Sequence, residues 1–153
     1  MKKLLGIFLM VASFSAFAAP LSISDALPAI NLKDQHEQAF LVPADVQLIL
    51  FAAEKGTSEL MSKTLETLPA SILKDKKAIY IADISGMPGF ITKMVALPRM
   101  QKLAYSIALV RDAKDAEYLP RQSGKVTVIK VQQGKVVAIE YVNEASQIQE
   151  LLK

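Results

Sequence analysis

The sequence predicts an α/β fold, a three-layer sandwich with a central mixed sheet between layers of helix. Three observations carry this. Short apolar runs, "DVQLILFAA" (45–53), "AIYIADI" (78–84) and "YSIALV" (105–110), alternate with segments whose apolar residues recur at helical spacing. Runs that are apolar throughout suit strands buried on both faces, as in parallel sheets covered by helices. Further on, "KVTVIKV" and "KVVAIEYV" are separated by Gln132, Gln133 and Gly134, the pattern of a hairpin with Gly134 supplying positive φ in a bulged turn. Alternation followed by a hairpin implies right-handed parallel crossovers with antiparallel strands added at one side.

The first residues stand apart from this pattern. Lys2 and Lys3 precede "LLGIFLMVASFSAF" (4–17), which is apolar or small throughout, and Ala16 to Ala18 offer small residues for cleavage. This is the pattern of a secretory signal peptide over residues 1–18, with a single domain over 19–153. The apolar run is short for a bilayer span of about 20 residues. No second run approaches that length, so a periplasmic or secreted protein without a stable membrane anchor is expected. Lys2 and Lys3 account for two of the 18 basic residues, which leaves 16 against 15 acidic ones. So small an excess is no footprint for nucleic acid. The absence of cysteine excludes disulfides, thiolate nucleophiles and Cys-ligated metals.

"LPAINLKDQHEQAF" (27–40) reads as an irregular lead-in or hairpin. After the first strand, Ser58 is a plausible helix N-cap with Glu59 at the positive end of the dipole, and Gly56 is assigned to a tight turn. Met61, Leu65 and Leu68 form one face, and Pro69 must end or kink the helix. "SGMPG" (85–89) breaks the second strand. Phe90, Ile91, Met94 and Val95 supply an apolar helical face, and Pro98 stops or restarts that helix. Residues 111–124 are polar, a loop with a short helical turn within 113–119. Asn143 is placed to cap a last helix carrying Ile148, Leu151 and Leu152.

This order resembles the thioredoxin-like fold, in its peroxiredoxin-like and periplasmic-reductase variants, over residues 30–152. "INLKDQHEQ" is similar to the family's opening segment. "LILFAAEKGTSEL" is similar to the strand leading into its Cys-x-x-Cys helix: Phe51 and Ala53 match, Lys55 stands for a tryptophan, and Gly56 and Glu59 for the two cysteines. "KVTVIKVQQGKVV" is similar to the family's cis-Pro-Thr strand and hairpin, with Thr127, Gly134 and Lys135 matching and Val126 in place of the proline. The likeness implies a degenerate site at Lys55, Gly56, Thr57, Ser58, Glu59 and Val126. "GTSELMSKTLE" and "SGMPGF" further resemble small exported YtfJ-type proteins.

The junction's Gly56–Ser58 turn, with Lys55, could hold an anion, but Glu59 already answers the helix dipole. Ser58 with His36, the sole histidine, and Asp34 or Asp83 is the composition of a hydrolase or transferase. No nucleophile elbow surrounds Ser58, and His36 sits in a polar stretch. Met61, Met87, Met94 and Met100 are soft ligands for copper(I). Their spacing is irregular, however, and Met61 and Met94 are expected to be buried as flexible core filler. Residues 86–100 read as a helix packed on the sheet. Their alternative is a partner surface formed by Met87, Phe90, Met94 and Met100. The reading favoured is a non-catalytic binding module without metal or cofactor, its partner an unidentified envelope protein or peptide. The enzyme and the metal or cofactor carrier are the alternatives.

Overall fold

The computed structural model describes residues 19–153; the expected signal peptide, 1–18, lies outside the described residues. Five strands form one mixed sheet: β1 (Leu48–Ala52), β2 (Ala78–Asp83), β3 (Ala108–Val110), β4 (Val126–Gln132) and β5 (Lys135–Val142), in spatial order β3-β2-β1-β4-β5. β1 pairs parallel with β2, and β2 with β3; β1 pairs antiparallel with β4, and β4 with β5. The third strand is shorter than its apolar run, because residues 105–107 approach the sheet without pairing. The hairpin turn is tighter than expected. Gln133 and Gly134, at φ 50° and 74°, make a two-residue turn, and the bulge falls instead between Lys130 and Val131.

Helices α1 (Lys55–Glu66), α2 (Ile72–Asp75), α3 (Gly89–Ile91), α4 (Leu97–Met100) and α5 (Ala145–Leu151) complete the order, with a π-helical turn at Thr92–Ala96 and a 3₁₀ turn at Ala113–Ala116. α2, one turn after Pro69, has no counterpart among the expected elements. The crossovers from β1 to β2 and from β2 to β3 step in the same direction across the sheet. Right-handed connections then place their helices on one face. Leu48, Leu50, Ala52, Tyr80 and Ala82 on that face pack with Met61, Leu65, Leu73, Leu97, Ile148 and Leu152. The opposite face, Ile49, Phe51, Ile79, Ile81 and Ile129, is covered by Leu21, Ile30 and Leu32 of the lead-in and by Ala116 and Leu119 around the 3₁₀ turn. Both faces are layered, but regular helix dominates one of them.

Backbone hydrogen bonds join the lead-in to β3, β5 and Tyr118, and one buried side chain adds a clamp to the segment entering β3. Gln35, 1% exposed, donates from Nε2 to the Tyr105 carbonyl at 2.8 Å and the Met100 carbonyl at 3.4 Å, and its Oε1 accepts from the Ile107 N–H at 2.9 Å. It answers backbone groups of the segment entering β3 that no strand satisfies. Next to it the Asp34 carboxylate accepts from the backbone N–H groups of His36 and Gln38, which shapes the turn.

Gln35→Leu leaves the Ile107 N–H buried without an acceptor. It should destabilise the domain by about 2 kcal/mol, read as a fall in the urea midpoint. A midpoint unchanged from wild type would mean that the clamp does not hold the lead-in.

Candidate functional site

β1 ends at Ala52, and the chain enters α1 two residues later. The helix starts earlier than Ser58: its N-cap is Glu54, in extended conformation, and Lys55 to Glu66 are helical. Glu54 and Thr57 cap each other. The Thr57 Oγ1 accepts from the Glu54 N–H at 3.1 Å and donates to the Glu54 carbonyl at 2.8 Å. The early start has a simple cause. β1 uses up its paired residues at Ala52, and Glu54 is the first position from which a side-chain acceptor can reach back over the opening turn. Gly56 is therefore helical, without positive φ, and a Cβ added there would meet nothing within 4 Å. Its assignment to a tight turn is corrected accordingly. Asn143 is likewise replaced as cap of α5 by Glu144, which forms a reciprocal pair with Gln147.

The degenerate positions now have definite surroundings. Lys55 and Glu59 are exposed and 3.9 Å apart, a surface pair of small energetic weight. Ser58 lies near the buried Tyr80 side chain. Burial raises Tyr80 above the ordinary phenol range, against the opposing Ser58 hydrogen bond. His36 is exposed and engages Asp34 through its backbone, and no hydrogen bond joins it to Ser58 among the described residues. Val126 is fully buried, opens β4 opposite Val142, and has a trans peptide.

What occupies the C-terminal ends of β1 and β2 is a set of contacts that sequence reasoning missed. The Asp83 side chain, 6% exposed, accepts from Arg121 Nη1 at 3.2 Å and from the Ser85 N–H and Oγ at 2.9 and 2.6 Å. Asp83 is thus an ion-pair partner, not the acid of a Ser58–His36 pair. The Arg121 guanidinium lies over the Phe51 ring at 5.1 Å from its centre and also donates from Nη2 to the Ala116 carbonyl at 3.1 Å. Thr127 Oγ1 donates to the Pro120 carbonyl at 2.7 Å, and the Gly124 N–H donates to Glu54 Oε2 at 3.1 Å. The loop before β4 is thus tied to β1, β2 and α1. Glu54 takes two of the amides of the Gly56–Ser58 turn, that of Thr57 through its side chain and that of Ser58 through its carbonyl. The one signal in the sequence was Arg121 in a polar loop, and nothing local pairs it with an aspartate 38 residues away.

The remaining candidates lie on the crossover between β2 and β3. Met61 is buried in the core as expected, whereas Met94 is 76% exposed, the reverse of its expected burial. Met87 and Met100 pack on the helix-covered cluster, and Leu97 is buried within it. Phe90, at 68%, and Val95, at 46%, point outward with Met94. The helix does not stop at Pro98. Pro98 has no N–H for the Met94 carbonyl, and the turn before it is widened, with the Leu97 N–H reaching the Thr92 carbonyl. One side of the segment packs on the sheet, and the other exposes Phe90, Met94 and Val95. Among the described residues no cluster of three or more His, Asp or Glu could hold a metal.

Glu54→Ala removes both the cap and the Gly124 contact and should cost about 1–2 kcal/mol. Ser58→Ala should cost less than about 0.5 kcal/mol, and Gly56→Ala should stabilise by about 0.5 kcal/mol. Urea titrations of the three variants check the ranking; a Ser58 loss larger than that of Glu54 would refute the assigned cap.

No protein-family profile matches the chain. No curated protein sequence matches it either. By structure, 32 chains match. The thioredoxin domain of a thiol-disulfide oxidoreductase from Bacteroides vulgatus superposes with TM-score 0.54 at 16% identity, covering 87% of this chain and 99% of that one. A thio-disulfide isomerase from Thermus thermophilus gives TM-score 0.51 at 19% identity, covering 86% and 96%. A peroxiredoxin-like protein from Aquifex aeolicus gives 0.52 at 14%, covering 88% and 90%. The narrower likeness to YtfJ-type exported proteins is not among what these matches establish. The chain has the thioredoxin-like fold, and it contains no cysteine with which to carry out thiol–disulfide exchange.

Proposed function

We propose that this protein is a non-catalytic binding module of the bacterial envelope, built on a thioredoxin-like scaffold, with its contact surface on the helical crossover between β2 and β3. One observation carries the reading: Phe90 and Met94, large and apolar, are 68% and 76% exposed on a crossover that Leu97 fixes in the core. Adjoining exposed apolar side chains of this size favour contact with another apolar surface. Among the positions that resemble the family's redox site, Thr57 takes part in capping α1 and Val126 is buried in β4, which supports a scaffold role there. The surface is narrower than the sequence suggested. Phe90, Met94 and Val95 form it, with the half-buried Met87 and Met100 as its footing.

A photo-cross-linking side chain at position 90, in residues 19–153 added to envelope extract, should give discrete adducts that Met94→Asp abolishes. The same probe at Lys114 should give none. Because position 94 is exposed, Met94→Asp should change the thermal midpoint by no more than about 0.5 kcal/mol equivalent. Adducts that persist in the variant would refute this surface.

The leader-like residues 1–18 support the envelope location, and no described helix is long and apolar enough to cross a membrane. Mass spectrometry of the envelope fraction should find an N-terminus at Ala19 or within a residue of it. An intact Met1 on the fractionated protein would overturn the proposed export.

A further inference from the structure

The charge along the segment that carries the exposed apolar side chains is one-signed. Between Asp83 and Asp112 the chain has no acidic residue, while Lys93, Arg99, Lys102 and Arg111 are basic. Arg111 is paired with Glu37 at 2.7 Å. Lys93, Arg99 and Lys102 are exposed, and none of them forms an ion pair among the described residues. Residues 19–153 carry 16 basic and 15 acidic side chains, so three unpaired cations on one short segment are a strong local excess.

Their placement relative to the apolar side chains narrows the occupant. Met94 follows Phe90 by four residues and Val95 by five, which the widened turn at Thr92–Ala96 keeps on one side of the helix. Lys93 lies between Phe90 and Met94 in sequence, three residues after Phe90, and Arg99 is four after Val95. A lysine beside the apolar centre is unfavourable for a protein interface, whose core is depleted of lysine. At a lipid surface the same residue is well accommodated, because its methylenes lie along apolar chains while the ammonium reaches the phosphate layer. The side chains also project as a knob. Two surface depressions are lined by other residues, around Gln147 on α5 and around Gln132 at the hairpin turn. A knob enters a soft interface readily, and the segment is too short to cross one.

Resting on the binding-module reading above, we infer that this surface docks reversibly on an anionic phospholipid bilayer, with Phe90 and Met94 entering the interface and Lys93, Arg99 and Lys102 facing lipid phosphates. Each cation held at an anionic surface strengthens binding about fivefold, and the attraction is screened by salt.

The test is flotation of residues 19–153 with phosphatidylcholine vesicles and with mixed phosphatidylcholine–phosphatidylglycerol vesicles. Binding to the mixed vesicles should be stronger by at least about tenfold, and should fall when salt is raised from about 0.1 M to about 0.5 M. Phe90→Ser with Met94→Ser should remove most binding while the thermal midpoint is retained. Lys93→Gln with Arg99→Gln and Lys102→Gln should remove the preference for anionic lipid. The chain has no tryptophan, so Phe90→Trp gives a single reporter whose emission should shift to the blue on anionic vesicles. Absence of vesicle binding, equal binding to both compositions, or binding that survives the serine variants would overturn the inference. If vesicles fail but position 90 still cross-links a protein in a Met94-dependent manner, the lipid assignment falls and the binding module stands. If both fail, both fall.

Discussion

The arrangement of this domain depends on β1. Its five residues, Leu48 to Ala52, are all buried, and both of its edges are paired, one parallel to β2 and one antiparallel to β4. A strand with apolar side chains on both faces has to be covered twice. Leu48, Leu50 and Ala52 receive α1, α2, α4 and α5, whereas Ile49 and Phe51 receive the lead-in and the 3₁₀ turn. Full burial of a Leu, Ile or Phe side chain contributes about 1.5–3 kcal/mol, an upper estimate because unfolded chains already bury part of that surface. That gain favours a lead-in held in place by Gln35 over one left in water.

The same strand explains why its C-terminal end is filled by the chain itself. In open α/β sheets this end is where ligands commonly sit. Here Asp83 is drawn out of water beside Phe51, and Arg121 provides both its counter-ion and a cation over the ring. Removing either charge would strand the other in a poorly solvated place. With Glu54 on the Gly124 N–H and Thr127 on the Pro120 carbonyl, the loop before β4 has little freedom. The outward-facing crossover helix differs: its inner side is fixed by Leu97 and Met100, and its outer side has no internal partner for Phe90 or Met94. The filled strand ends and the exposed apolar side chains of the crossover thus lie on different elements, and substitutions in one need not disturb the other.

The sequence by itself determined the strands β1, β2, β4 and β5, the hairpin at Gly134, and the arrest of α1 before Pro69. Each of these is a local matter of apolar runs, positive φ or a missing N–H. The absence of thiol chemistry was equally plain, because it needs only a count of cysteines. Tertiary structure decided the rest. Glu54 and Ser58 are both capable caps, and the choice fell to where β1 runs out of partners. Met61 and Met94 both lie on apolar helical faces, yet one is core and the other surface, because the widened turn before Pro98 changes which residues meet the sheet. Gln35 with Ile107 and Asp83 with Arg121 are 72 and 38 residues apart, respectively. Periodicity extends over a few turns of chain, so pairings at that separation are set only when the sheet brings their ends together.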